Sequence, residues 1–143
     1  MNIQRKAYAA WQGDIRHGKG TLTTESKALS NTPYSFATRF ESLPGTNPEE
    51  LLGAAHAGCF TMALTHILGE AGIKLERIDT GATVSLERVE GALTITHVHL
   101  DVTVKAPGAD RAKVIEAAQK AKANCPLSKV LRAEISMDAK LAG

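Results

Sequence analysis

The sequence predicts an α+β fold, with antiparallel sheets wrapped around one long buried central helix, in a single domain covering residues 1–143. Three observations predict it. The length of 143 residues suits one hydrophobic core and is too short for two ordinary ones. Residues 51–69 run nineteen positions without Asp, Glu, Lys or Arg, directly behind a strong helix-start signal. Apolar residues also alternate with period two on both sides of Glu90-Gly91, the mark of a long antiparallel hairpin.

The opening, residues 8–25, reads as two short strands joined by the glycine-rich connection from Gly13 to Gly20. A loop is expected at residues 29–33. Beyond it Tyr34, Phe36, Thr38 and Phe40 alternate with Ser35, Ala37, Arg39 and Glu41, which predicts a strand with Arg39 on the face opposite the aromatics. After the Leu43-Pro44-Gly45-Thr46 turn, Asn47 suits the N-cap of a helix and Pro48 its first position, while Glu49 and Glu50 sit where the helix dipole favours negative charge. Glu50 is placed to complete a capping box, which leaves Glu49 free for another task.

This helix is expected to reach about Glu70, with Gly69 and Gly72 as exit points. It is apolar nearly all round, so burial on several sides and a partner helix are expected, and Gly53, Ala54, Ala57 and Gly58 permit close approach to its backbone. Its length would span a bilayer. Its Ala and Gly content, two histidines and two threonines, with no second apolar segment or basic flank, favour a buried core helix and no membrane partner.

In the hairpin, the apolar phase slips between Ile95 and Val98, which predicts a β-bulge near Thr96-His97. Asp110 is a cap for a second helix whose stripe is Val114, Ala118, Ala121 and Cys125. Pro126 then opens a short helix, residues 126–131, which puts the Cys125 thiol at a helix N-terminus where the dipole favours a thiolate. Residues 133–141 read as a closing strand.

Charge and cysteine content narrow the function. Seventeen basic and fifteen acidic residues leave a formal charge of +2 with no long run of either sign, so no nucleic-acid partner is indicated. The first residues lack a secretory pattern, so a cytoplasmic location is expected. Two cysteines are too few for a disulfide scaffold, and a pair in a reducing compartment would cycle. Ser26, Ser30 and Ser128 lack a nucleophile-elbow context, and neither a dinucleotide fingerprint nor a P-loop is present. A hydrolase pair of Cys59 and His56 lacks an evident oxyanion hole. His97-x-His99 points two imidazoles to one strand face, but no carboxylate stands at a matching spacing, so no metal site is expected. His56 is expected to face a dimer core, hydrogen-bonded to backbone.

Peroxide reduction by a thiol needs a thiolate to attack the O–O bond, a cation to stabilise it and the leaving alkoxide, and a second thiol to resolve the sulfenic acid. Two cysteines and an arginine meet those needs, although free cysteines most often serve as small buried hydrophobes, and by composition alone Cys59 reads as one.

Thr38-Arg39-Phe40, the block from Gly45-Thr46-Asn47-Pro48-Glu49-Glu50 through Ala55-His56-Ala57-Gly58-Cys59-Phe60, and Asn124-Cys125-Pro126-Leu127-Ser128 together resemble the OsmC/Ohr family, and its OsmC branch more than its Ohr branch. Trp11-Gln12-Gly13-Asp14-Ile15 and Leu68-Gly69-Glu70-Ala71-Gly72 extend the likeness over essentially the whole chain. The resemblance implies an intertwined homodimer that reduces organic hydroperoxides, and hydrogen peroxide less well, to alcohols in oxidative and osmotic stress defence. It implies Cys59 as peroxidatic and Cys125 as resolving cysteine, Arg39 as stabiliser of thiolate and leaving group, and Glu49 as the residue that orients Arg39. Arg16 is the alternative arginine. No bound cofactor is implied; the reductant is an external dithiol such as a lipoyl group. Apolar walls from Leu51, Leu52, Phe36, Phe60 and Met62 would favour alkyl hydroperoxides. The rival is a non-catalytic stress-induced dimer that binds a hydrophobic ligand.

Glu49 and Cys59 are ten residues apart, or about 15 Å along a continuous helix. Either the helix breaks, or Glu49 acts through Arg39, or an antiparallel helix of a second subunit supplies Glu49 to the opposite Cys59; the uniformly apolar helix favours the last.

Overall fold

A computed structural model describes all residues, Met1–Gly143, as two compact units, Met1–Leu51 and Leu52–Gly143. The first unit holds strands β1 (Ala7–Gln12), β2 (Lys19–Thr24) and β3 (Thr32–Tyr34), paired antiparallel in that order. Gly20 lies opposite both Trp11 and Tyr34 in the ladder, and those rings meet edge-on at 5.5 Å. A Cβ on Gly20 would fall 2.5 Å from atoms of each ring, so glycine is required for the aromatic pair to close. The expected loop at residues 29–33 ends instead in β3, whose Thr32 and Pro33 pair with Leu22 and Thr21.

The strand expected around Arg39 is a short helix, α1 (Phe36–Phe40). Ser35 caps it: its hydroxyl accepts the Thr38 N–H at 3.3 Å, and the Thr38 hydroxyl accepts the Ser35 N–H at 2.9 Å. The alternation of aromatics was too short to decide between periods, because Phe36 and Phe40 are also i, i+4 neighbours. In the helix their rings lie 5.0 Å apart. Arg39 therefore does not point away from the aromatics; its guanidinium lies over the Phe40 ring at 5.0 Å.

Asn47 ties α1 to the next helix. Its Nδ2 donates to the Thr38 carbonyl at 3.2 Å and its Oδ1 accepts the Glu50 N–H at 2.8 Å, as an N-cap does. Helix α2 (Pro48–Glu70) runs unbroken for 23 residues, which removes a helix break as the explanation for the Glu49 to Cys59 spacing. It ends through Gly72 at φ +73°, where the Ile73 N–H returns to the Leu68 carbonyl at 3.0 Å.

In the second unit, β4 (Arg77–Val89) and β5 (Ala92–Lys105) form the long antiparallel hairpin, turning on Glu90 and Gly91, both at positive φ. Ser85 pairs with His97 and Leu86 with Ile95, so Thr96 is the extra residue of the expected bulge. Helices α3 (Arg111–Asn124, capped by Asp110) and α4 (Pro126–Val130) follow. They form a crossover long enough to return the chain in the same direction, so β6 (Glu134–Leu141) joins β5 in parallel. The sheet is mixed, whereas antiparallel pairing alone was expected.

Val98, Leu100, Val102 and Val104 of β5 face Val114, Ala117, Ala118 and Ala121 of α3, the following Cys125, and Phe60, Leu64 and Leu68 of α2 in one core. Helix α2 buries only the stripe Gly53, His56, Phe60, Leu64 and Leu68. At Gly53 the sheet comes close: a Cβ there would stand 3.4 Å from Val84. The opposite face, with Ala54, Ala55, Gly58 and Met62, is exposed, Met62 at 78%. By length and composition this helix would span a bilayer, but its buried stripe packs into the core described.

Candidate active site

The thiol cluster is built where the middle of α2 meets the junction of α3 and α4. Cys59 is half-buried, Cys125 is 1% exposed, and both are free thiols. Cys125 closes the α3 stripe, its N–H donating to the Ala121 carbonyl at 2.9 Å, and also serves as N-cap of α4. Pro126 keeps Cys125 out of helical geometry (φ −62°, ψ 142°) and fits the first position of the new helix. The Ser128 N–H donates to the Cys125 sulfur at 3.4 Å, the contact a serine or aspartate oxygen makes at other caps.

The Cys125 sulfur acts on the Cys59 thiol. Burial pushes the Cys59 thiol above its ordinary range; the Leu127 backbone N–H pulls it down; the charge and hydrogen bond of Cys125 push it up again. These influences together favour the protonated thiol at Cys59, against which a cation would act.

A polar chain that sequence reasoning missed runs behind Cys125. The Ser128 hydroxyl lies 3.1 Å from the Cys125 sulfur and 2.8 Å from Nε2 of His56. His56 is fully buried, its Nδ1 has no hydrogen-bond partner, and burial lowers its pKa below the usual 6.5. The expected backbone bond of His56 is thus replaced by a side-chain bond to Ser128. The available signal was a serine three residues after a cap cysteine, the position whose N–H and side chain both face the cap.

Arg39 and Glu49, both in the first unit, pair as a fork: Nε donates to Oε1 at 2.8 Å and the terminal nitrogen to Oε2 at 3.2 Å. Glu49 is 12% exposed at the side chain and Arg39 33%, so one face of the guanidinium remains open. A cleft of about 210 Å³ adjoins it, lined by Trp11, Ile15, Tyr34, Phe36, Arg39 and Phe40. Arg16 lies over the Phe36 ring at 4.6 Å. Of the apolar residues expected to wall the site, Phe36 lines this cleft, whereas Phe60 is fully buried core and Met62 stands on the exposed face of α2.

His97 and His99 share one sheet face as expected, and both imidazoles reach the Ser136 hydroxyl of β6, at 2.5 and 2.6 Å. Carboxylates arrive after all: Asp101 and Asp138, ladder partners, each lie 3.3 Å from Nε2 of His99. This is the one group of metal-type donors, and an imidazolium at His99 would pair with both carboxylates without an ion. Its Asp side chains are 66% and 85% exposed.

Comparison with known proteins adds to this geometry. The family model described as OsmC-like protein matches residues 40–140. Peroxiredoxin OsmC of Escherichia coli is 53% identical over 141 residues, 99% of each chain. The organic hydroperoxide resistance protein OhrB of Bacillus subtilis is 30% identical over 123 residues, 85% of this chain and 88% of the relative. In three dimensions, the OhrB crystal structure superposes with a TM-score of 0.67 at 26% identity, covering 96% of this chain and 98% of that one. An OsmC-like protein of unknown function from Vibrio cholerae superposes at 0.77 with 17% identity, covering 96% and 99%, a likeness of fold.

Proposed function

The chain belongs to the OsmC-like protein family, and on that footing we propose that it is a thiol-dependent peroxidase reducing organic hydroperoxides. The observation that carries this reading is the meeting of two free thiols, Cys59 and Cys125, close enough that Cys125 helps raise the pKa of Cys59. The names of the relatives, a peroxiredoxin and an organic hydroperoxide resistance protein, point to the same chemistry.

In this reading the Cys59 thiolate attacks the distal oxygen of the hydroperoxide. The O–O bond breaks, the alkoxide leaves and takes up a proton as the alcohol, and Cys59 becomes a sulfenic acid. Cys125 then displaces the hydroxyl, closing a Cys59–Cys125 disulfide with loss of water, and an external dithiol, of lipoyl type, reduces the bridge. Burial raises the pKa of the Cys59 thiol, so a cation is needed to favour its thiolate and to stabilise the departing alkoxide. Arg39 is the proposed cation, with Glu49 holding its fork; the aromatic cleft beside it suits an alkyl chain better than hydrogen peroxide.

We place this chemistry in a homodimer. Glu49 stands ten residues before Cys59 on one unbroken helix, about 15 Å along its axis. The uncovered apolar face of α2 supports packing of a second subunit there, with its Arg39–Glu49 fork serving the opposite Cys59. A cytoplasmic location, where a dithiol pool keeps the bridge cycling, belongs to the same proposal.

The test is a mass measurement after one equivalent of cumene hydroperoxide. Closure of a Cys59–Cys125 bridge within one subunit, with turnover lost in Cys59→Ser, is the expected result. The rival reading has the cysteines inert and a hydrophobic ligand held, for instance, in the cleft of about 600 Å³ between β2, β3 and the Leu43–Thr46 turn. Undiminished turnover in Cys59→Ser, or unreacted thiols in the wild type, would decide for it.

A further inference from the structure

The second half of the cycle requires Cys125 to attack as a thiolate, and the structure holds a route by which its proton can leave. The Cys125 sulfur, the Ser128 hydroxyl and Nε2 of His56 stand in series at 3.1 and 2.8 Å. We infer that Ser128 relays the Cys125 proton to His56, so that His56 is the base of the resolving step. This rests on the peroxidase reading for its sulfenic acid partner.

Each link has the right chemistry. A hydroxyl can accept from S–H and donate to an imidazole nitrogen at once. The Ser128 backbone N–H, donating to the same sulfur at 3.4 Å, favours the thiolate as it forms. As Cys125 attacks, its sulfur pair forms the S–S bond and its proton passes to Ser128 oxygen while the Ser128 proton passes to Nε2. The S–O bond of the Cys59 sulfenic acid breaks with its electron pair on oxygen, and the leaving hydroxide takes the proton back as water. No further oxidant or reductant enters.

The burial of His56 explains why an imidazole suits the post. It has no solvent contact, so it is neutral at pH 7 and its Nε2 is open to a proton in the Nδ1–H tautomer. Burial is the influence that shifts it, and no charged side chain contributes. The titratable groups facing the relay are the thiols of Cys125, at the α3–α4 junction, and of Cys59, one turn along α2; Lys129 of α4 is exposed to solvent. The orphaned Nδ1 has a meaning here as well. A buried imidazole with one satisfied nitrogen is costly as a purely structural element, which is the kind of expense found at functional positions.

Two measurements test the relay. In the first, nitrogen-15 spectra of the reduced wild type at pH 7.5 read the tautomer of His56. The relay requires an unprotonated Nε2, and a proton found there overturns it. This arm needs no peroxide, so it can overturn the relay independently of the peroxidase reading. In the second, one equivalent of cumene hydroperoxide is mixed rapidly with wild type, Ser128→Ala, Ser128→Thr and His56→Gln. Sulfenic acid formation, trapped by dimedone, and disulfide closure are timed in the same samples. Closure is expected to fall about 100-fold or more relative to sulfenic acid formation in Ser128→Ala and His56→Gln, and to recover in Ser128→Thr. Wild-type closure should be flat above pH 7, whereas closure in the two slow variants should rise with pH. Equal closure rates, or slower closure with the wild-type pH profile, would overturn the inference. Absence of any sulfenic acid in the wild type would instead count against the peroxidase reading.

Discussion

Lowering the pH should cost this protein stability through one residue, His56. Its side chain is fully buried, and burial lowers its pKa from the ordinary 6.5. In the unfolded chain the same imidazole takes up a proton as the pH falls through about 6.5, while the folded chain resists protonation until lower pH. Between those two values the unfolded state binds more protons, so stability falls as pH falls. The contribution is complete above the unfolded value and is lost on descent through the folded one. The slope for one group is at most ~1.4 kcal/mol per pH unit. Urea unfolding of wild type and His56→Gln at pH 7.5, 6.5 and 5.5, at one protein concentration, isolates the effect, because every other titrating group is common to both. The wild type is expected to lose up to ~1 kcal/mol more than the variant between pH 6.5 and 5.5. Parallel curves would mean that His56 is hydrated or charged in the folded protein, and the burial argument would be refuted.

Other expectations follow from the same geometry. Arg39→Lys keeps the charge but cannot reproduce the two-point pairing with Glu49, so sulfenic acid formation at Cys59 should slow about 100-fold, as measured by stopped-flow with limiting hydroperoxide. If the fork serves the opposite subunit, neither Arg39→Ala nor Cys59→Ser is active alone, but random exchange of their subunits makes about half the dimers mixed, each with one intact site. Activity should then return to about a quarter of wild type, whereas a site completed within one chain gives none. Gly58→Ala adds a Cβ that meets nothing within 4 Å in the single chain, which by helix propensity alone would stabilise by ~1 kcal/mol. With a second helix against that face the methyl intrudes, and sedimentation equilibrium should show a weaker dimer; an unchanged dissociation constant would remove α2 from the interface.

Much of the fold was legible because its signals are local. Asn47 and Pro48 start α2, Asp110 starts α3, and Glu90-Gly91 turns the hairpin, each through a requirement of a single position. Even the bulge at Thr96 was visible, since one extra residue shifts the apolar phase by one. The segment around Arg39 was misread because four alternating positions suit period two and an i, i+4 aromatic pair equally. The deciding bonds come from Ser35 and Thr38, whose hydroxyls close the first turn. The direction of β6 was equally hidden, because a strand reads the same whichever way it pairs, and direction follows from the length of the crossover.

The site divides along the same line. The Arg39–Glu49 pair joins residues ten apart and was within reach of the motif, whereas His56 and Ser128 are 72 residues apart and meet only because α2 and α4 pack. No periodicity reports such a contact. The geometry also changes what Cys59 requires. A mid-helix thiol offers no local group to ionise it: its own burial and its neighbour Cys125 push its pKa up, and a single backbone N–H opposes them. Helix α2 meanwhile carries Glu49 about 15 Å from the thiol. Under the peroxidase reading, the second subunit we propose would bring its own Arg39–Glu49 fork to this thiol without a break in α2.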